Sequence, residues 1–305
     1  MRVLVTGASG LLGLNLALEA SKRHVVFGTV NRHALTTDAF EVIQTDLLLP
    51  GAVKQLLDQT RPDWVINCAA LAVVDACERE PVLASESNTE LPKKLAKYVA
   101  RGGARLVHLS TDAVFDGTRG GYTEEDRPNP LSVYASTKLA GEQAVAEANP
   151  EAIIARVNLF GWSLSGARSL AEWFFNNLSS GKAVMGFTDV YFCPLLANHL
   201  AHILLQMLES GLKGLYHVVS SECASKYDFG VALAERFGFD PGLISPTSVE
   251  QSNLKATRSP NLTLKADKLI RDLGEVPPRI STSLEAFYRL YQQGYPQALW
   301  KMRGE

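Results

Sequence analysis

Tyr134 and Lys138 stand four residues apart at the start of a helical stretch, shortly after Pro128 and Pro130. Residues at that spacing share a helix face, so the sequence places an ammonium near a phenol. A cation there stabilises the phenolate and lowers the tyrosine pKa, which suits proton transfer near neutrality. Such a pair also arises by chance in a chain with nine tyrosines, so its weight comes from what precedes it. That is the run Thr6-Gly7-Ala8-Ser9-Gly10-Leu11-Leu12-Gly13. Gly7 permits a tight turn, Gly10 lets the backbone approach a pyrophosphate, and Gly13 lets helix and strand pack closely. The free N–H groups from Ser9 through Leu12 and the positive end of the helix dipole then meet the phosphates. The run lies between a strand pattern and an apolar helix, the context a dinucleotide site requires.

The end of the second strand selects the cofactor. It reads Thr29-Val30-Asn31-Arg32-His33, with no acid before Asp38. An acid would hold the ribose hydroxyls of NAD, whereas an Arg accommodates a 2′-phosphate. Arg32 therefore favours NADP, with NAD as the other possibility. Asp46-Leu47 follows the third strand, where Asp46 either reaches the adenine amino group or caps the next helix. Cys68, Ala69 and Ala70 end the fourth strand, and such small residues let a cofactor lie against the backbone.

The elements that must position these residues alternate. Residues 2–6, 25–30, 41–45, 64–68, 105–110 and 153–157 read as buried strands, with helical patterns at 11–21, 52–60, 91–100 and 134–148. This predicts an α/β fold of the Rossmann type, a doubly wound parallel sheet covered by helices. After residue 157 the alternation fails. Helices are expected at 169–179, 195–208, 227–237 and 283–293, and a strand at 215–219. Residues 1–157 thus form a dinucleotide-binding domain, and 158–305 a mainly substrate-binding, smaller α/β domain, with segments near 187–220 returning to the sheet. A cleft separates the two.

The chain has 305 residues, 46% of them hydrophobic, with 30 basic against 32 acidic side chains and a net charge of −2. That balance lacks the basic surplus of a nucleic-acid binder, and no apolar run is long enough to span a bilayer. Without a signal-peptide pattern at the first residues, a cytoplasmic location is expected. Cys68, Cys77, Cys193 and Cys223 show neither CxxC nor metal-ligand spacing, so they read as buried thiols rather than as a disulfide or metal site. His199, His202 and His217 read as structural, and no metal is expected.

With TGASGLLG, the Tyr134/Lys138 pair and a hydroxyl after the fifth strand, the chain resembles the extended short-chain dehydrogenase/reductases. Ser110-Thr111-Asp112-Ala113-Val114-Phe115-Asp116-Gly117, the stretch YTEEDRPNPLSVYASTKLAGE and Arg258-Ser259-Pro260-Asn261-Leu262-Thr263-Leu264 are similar to the dTDP-4-dehydrorhamnose reductase branch. The resemblance implies that Thr111 orients a substrate carbonyl, Tyr134 protonates its oxygen as hydride arrives, and Lys138 holds the nicotinamide ribose. It also implies cofactor contact by Ser110 and a nucleotide-sugar substrate. A homodimer through the helices near 91–100 and 134–148 is the matching expectation.

Ala113 separates this chain from the sugar-nucleotide dehydratases, which carry Glu there, because alanine cannot move a proton. It also departs from the reductases, which carry Tyr, and Leu71-Ala72 replaces polar residues. Asn158, after the sixth strand, should face the cleft as a substrate contact or serve a turn. The main reading is an NAD(P)H-dependent reductase of a nucleotide-sugar keto group. A nucleotide-sugar epimerase and a non-catalytic NADP-binding regulatory subunit are the alternatives.

Overall fold

A computed structural model describes residues 1–251 and 259–304; Arg258 of the reductase-like stretch lies outside them. The first six strands are β1 (Arg2–Thr6), β2 (Val25–Val30), β3 (Glu41–Gln44), β4 (Trp64–Asn67), β5 (Arg105–Thr111) and β6 (Ile153–Val157). They are followed by β7 (Leu159–Phe160), β8 (Val184–Phe187), β9 (Tyr191–Phe192), β10 (Leu195–Leu196), β11 (Gly214–Val218), β12 (Ala224–Ser225) and β13 (Ile244–Thr247).

Seven of these form one parallel sheet in the order β11-β6-β5-β4-β1-β2-β3. Its inner strands are buried on both faces, which is why β4 and β6 are apolar at nearly every position instead of alternating. The chain leaves β1 toward one edge and re-enters at β4 on the other side. The carboxyl ends of β1 and β4 therefore diverge around a crevice, the place where ligands sit in such sheets.

The helix Leu11–Ser21 starts where the glycine run predicts, and its central residues Leu14, Asn15, Leu16 and Ala17 are wholly buried. Asn15 gives this helix its register against the second half of the chain. Its amide donates to the carbonyls of Leu11 (2.7 Å) and Trp162 (2.9 Å), and its oxygen accepts from the Tyr295 hydroxyl at 2.8 Å. Trp162 stacks on Phe287 with centroids 4.0 Å apart and meets Phe175 edge-on. That aromatic group is continuous with the apolar face of the sheet in one core.

The helix Val133–Ala148 begins at Ser132, whose hydroxyl accepts from the Ala135 N–H. Ahead of it lie elements absent from the sequence expectation: the short helices Val74–Arg79 and Pro81–Ser85, then a π-helical turn, Glu86–Glu90. Asp267–Leu273 and Tyr295–Lys301 are further unexpected helices.

The cysteine expectation is corrected. Cys193 and Cys223 form a disulfide, and Cys68 and Cys77 remain thiols. The cause is strand pairing: Ala224 of β12 lies opposite Phe192 of the antiparallel β9, which brings the neighbouring cysteines face to face. Cys193 is buried and Cys223 sits on the exposed side.

The loop after β2 is tied down from the far end of the chain. Thr36 N–H donates to Met302 C=O (2.8 Å), Leu35 bridges Arg303, and Gly304 lies against Ala34. Among the described residues no helix is long and apolar enough to cross a membrane.

Candidate active site

At the carboxyl end of β1, Gly7 adopts φ +70°, and a Cβ built on it would lie 2.9 Å from Ala69 N. A Cβ on Gly13 would collide with the Gly7 carbonyl oxygen. The turn closes on itself through Gly10 N–H to Gly7 C=O at 2.9 Å and is pinned to β2 by Ala8 N–H to Thr29 C=O at 2.8 Å. Gly10 caps the helix with no side-chain hydrogen bond, and its first turn holds no acid. The helix thus presents free N–H groups and an uncancelled dipole beside Ser9, Leu11 and Leu12. A dinucleotide pyrophosphate fits this cradle, whose shape depends on Gly13 because a side chain there would push the Gly7–Ala8 backbone out of the turn.

The rim of the crevice is held from β4. Thr6 Oγ1 donates to Asn67 Oδ1 (2.6 Å) and accepts from Ala69 N–H (3.3 Å), which fixes Cys68, Ala69 and Ala70 beside the glycine turn. Arg32 is exposed at the end of β2. Asp46 does not cap the following helix: its carboxylate accepts from Leu48 N–H at 3.0 Å in a local turn, and the helix begins at Ala52 behind Gly51. Leu47 is buried beneath it.

Thr111, Tyr134 and Lys138 converge where β5 ends. Thr111 Oγ1 donates to Asp112 Oδ1 (3.1 Å) and accepts from Ala113 N–H (3.2 Å), close enough to the Tyr134 hydroxyl to act on its charge. Burial raises the Asp112 carboxyl above its usual range, opposed by the hydrogen bond from the Asn158 amide and by Thr111. Asn158 therefore holds Asp112, and its own carbonyl accepts from Leu195 N–H at 2.9 Å.

The expected effect of Lys138 on Tyr134 needs correction. The Lys138 ammonium is directed to the Leu109 carbonyl, and burial pushes the Tyr134 hydroxyl up to about 12, with Thr111 opposing. Burial brings Lys138 itself down to about 8. Removal from water outweighs what Thr111 offers the phenolate, so Tyr134 rests as a neutral acid.

Ser110, expected at the cofactor, spends its hydroxyl on Glu142 Oε1. Glu142 also receives Arg156, through Nε at 2.9 Å and Nη2 at 2.7 Å, with both side chains nearly inaccessible. This pair ties β5, β6 and the helix Val133–Ala148 together under the site. Its only sequence signal is an acid four residues beyond Lys138.

Asn88 likewise went unread. Its side chain accepts from Leu71 N–H (2.9 Å) and donates to Leu71 C=O (3.0 Å), fixing the strand-end segment that carries Leu71. A π-helical turn has no periodicity signal that would reveal such a position.

A cleft of about 520 Å³ opens nearby, lined by Arg168, Trp173, Met185, Phe187 and Lys226 among others. One of its lining residues, Lys226, carries a charge that acts on Asp112. Arg168 is set by the capping box Ser169/Glu172: the wholly buried Glu172 carboxylate accepts from the N–H groups of Arg168 (2.8 Å) and Ser169 (3.1 Å). The S-x-x-E pattern at 169–172 carried that signal.

His217 lies buried on β11, Nδ1 toward Lys265 C=O (3.2 Å) and Nε2 toward Arg156. His199 meets Ser283 at 3.2 Å, while His202 is exposed. Among the described residues no group of three potential metal ligands occurs.

A family model described as RmlD substrate binding domain matches residues 1–293. The probable low-salt glycan biosynthesis reductase Agl14 of Haloferax volcanii is 34% identical over 94% of this chain and 97% of its own. Methionine adenosyltransferase 2 subunit beta of Pongo abelii is also 34% identical, over 88% of this chain and 81% of its own. The solved dTDP-4-dehydrorhamnose reductase of Bacillus anthracis, in complex with NADP, superposes with a TM-score of 0.81 at 26% identity, over 94% of this chain and 98% of that one.

Proposed function

This chain belongs to the RmlD substrate binding domain family, and we propose from that premise that it is an NADPH-preferring reductase of the keto group of a nucleotide sugar. The observation that carries this reading is the junction of a side-chain-free pyrophosphate cradle with Thr111, Tyr134 and Lys138 at one crevice. Gly7, Ser9, Gly10, Leu11, Leu12 and Gly13 hold the pyrophosphate, Arg32 meets the 2′-phosphate, and Cys68, Ala69 and Ala70 form the floor. Asp46 meets the adenine amino group and Leu47 lies beside it. When bound, the nicotinamide supplies hydride.

Tyr134 gives its proton to the ketone oxygen as charge builds there, and Thr111 aligns that oxygen by turning its hydroxyl from Asp112. A tyrosine held neutral by burial is a competent donor at once, and the resulting phenolate is stabilised by Thr111 and by the Lys138 cation. Lys138 also holds the nicotinamide ribose. Asn158 keeps Asp112 in place and reaches the sugar. Arg168 and Lys226 suit a diphosphate, and Trp173 and Phe187 offer faces on which a pyrimidine base stacks. Leu71, Ala72 and Ala113 make the sugar end more apolar than in reductases that carry Tyr at the last position.

The likeness to methionine adenosyltransferase 2 subunit beta favours a second reading, an NADP-binding partner subunit without turnover. NADPH oxidation, followed by absorbance with dTDP-4-dehydrorhamnose and other 4-keto nucleotide sugars, separates the two. Turnover that Tyr134→Phe abolishes while NADPH still binds supports the reductase. Absence of turnover across the panel refutes it.

A further inference from the structure

We propose that Glu142 is a positioning residue for the reaction: bridging Ser110 and Arg156, it fixes the end of β5 beneath Lys138 and is the anion that keeps Lys138 a cation. The inference rests on the reductase reading for its consequence in catalysis, although its geometry does not.

Ser110 follows the residue whose carbonyl receives the Lys138 ammonium and precedes Thr111. A hydroxyl bonded to Glu142 therefore locks the peptide on which both Lys138 and Thr111 depend. Glu142 lies one turn beyond Lys138 on the same helix, and residues at that spacing face one another. Arg156 grips the carboxylate with two nitrogens from β6, and both charges are nearly inaccessible to water. A buried ion pair seldom repays its desolvation as stability alone, and this one stands one helical turn from a cation in need of a fixed anion.

The other groups facing Lys138 cannot do this. Cys68, at the end of β4, would attract the ammonium only as a thiolate, and burial pushes its thiol up to about 12. His108 on β5 is held neutral by its own burial, far below its ordinary range. Leu109 offers a carbonyl dipole without net charge. Burial lowers Lys138 to about 8, and Glu142 is the largest influence opposing that fall.

The test uses the full chain labelled with [13C]lysine, with the Lys138 Cε resonance, assigned through Lys138→Arg, followed against pH. In Glu142→Gln its midpoint should fall by about one unit or more, and kcat should drop by about twofold near neutrality and approach a tenfold loss above about pH 8, recovering in more acid solution, with KM changed less than about twofold. Glu142→Asp should restore part of the midpoint. Because Glu142→Gln leaves Arg156 buried without its carboxylate, Glu142→Gln/Arg156→Gln is the paired variant, and its midpoint should also fall, though by less, since the Arg156 charge is lost with the carboxylate. An unmoved Lys138 midpoint in either folded variant overturns the proposal. The titration needs no substrate, so a failure of the reductase reading shows as absent turnover in the wild type and leaves the titration to decide Glu142.

Discussion

Cys223→Ala removes the disulfide from its exposed side, opening no cavity and leaving Cys193 as a buried thiol. The two cysteines are 30 residues apart. Closing a loop of that length costs the unfolded chain about 12 cal/mol/K, which corresponds to about 3.6 kcal/mol of stability at 25 °C. A 305-residue chain unfolds with an entropy of about 0.64 kcal/mol/K, so the melting temperature should fall by about 6 °C. Differential scanning calorimetry on wild type and variant, each with and without a dithiol reductant, measures this directly. Reduced wild type should melt with the variant, and reductant should leave the variant unmoved. A thiol titration in denaturant should find two thiols in the unreduced wild type, Cys68 and Cys77. Coincident melting of unreduced wild type and variant, or four thiols before reduction, would refute the reasoning. In a reducing cytoplasm the β9–β12 pairing would still hold the sulfurs adjacent, so the stabilisation would depend on the surrounding thiol balance.

Gly13→Ala drives a methyl into the Gly7 carbonyl; an overlap of this kind costs about 1–3 kcal/mol, so NADPH affinity measured by calorimetric titration should weaken by about ten- to a hundredfold, and unchanged affinity would place the cofactor elsewhere. His217 is buried neutral, with its pKa brought down by burial to about 3. Its unfolded form binds a proton below about 6.5, so stability is intact above that pH and is lost as pH falls toward 3, at up to about 1.4 kcal/mol per unit. Urea midpoints should therefore decline between about pH 7 and pH 5, less steeply in His217→Asn, and identical slopes would exclude His217 as the cause.

The parts of this molecule governed by local chemistry were legible in the chain. The glycine run located the start of the helix Leu11–Ser21, and continuous β-branched runs located the sheet strands, because a parallel sheet buried on both faces leaves little room for anything else. Tyr134 and Lys138 were legible through their spacing, but their charge state was not, since it depends on how completely the fold excludes water around them. The disulfide escaped for a related reason: Cys193 and Cys223 meet through the register of β9 and β12, two strands of two residues each with no pattern of their own. Pro81 marks a helix start only once the chain before it is known to turn, and Asn88 sits in a π turn that no period describes. Glu142 was visible as an acid, yet its partners Ser110 and Arg156 come from other strands.

Thr36 and Leu35 share backbone contacts with Met302 and Arg303, at the opposite end of the chain from the strand they follow. The segment bearing Arg32 is therefore not a module. A graft that exchanges residues 31–36 would also disturb the seat of residues 302–304, although Tyr295 and Leu299 still hold the helix before them. Substitutions face the same coupling: a change at residues 34–36 is constrained by what residues 302–304 accept, so an alteration in one stretch is read in the other.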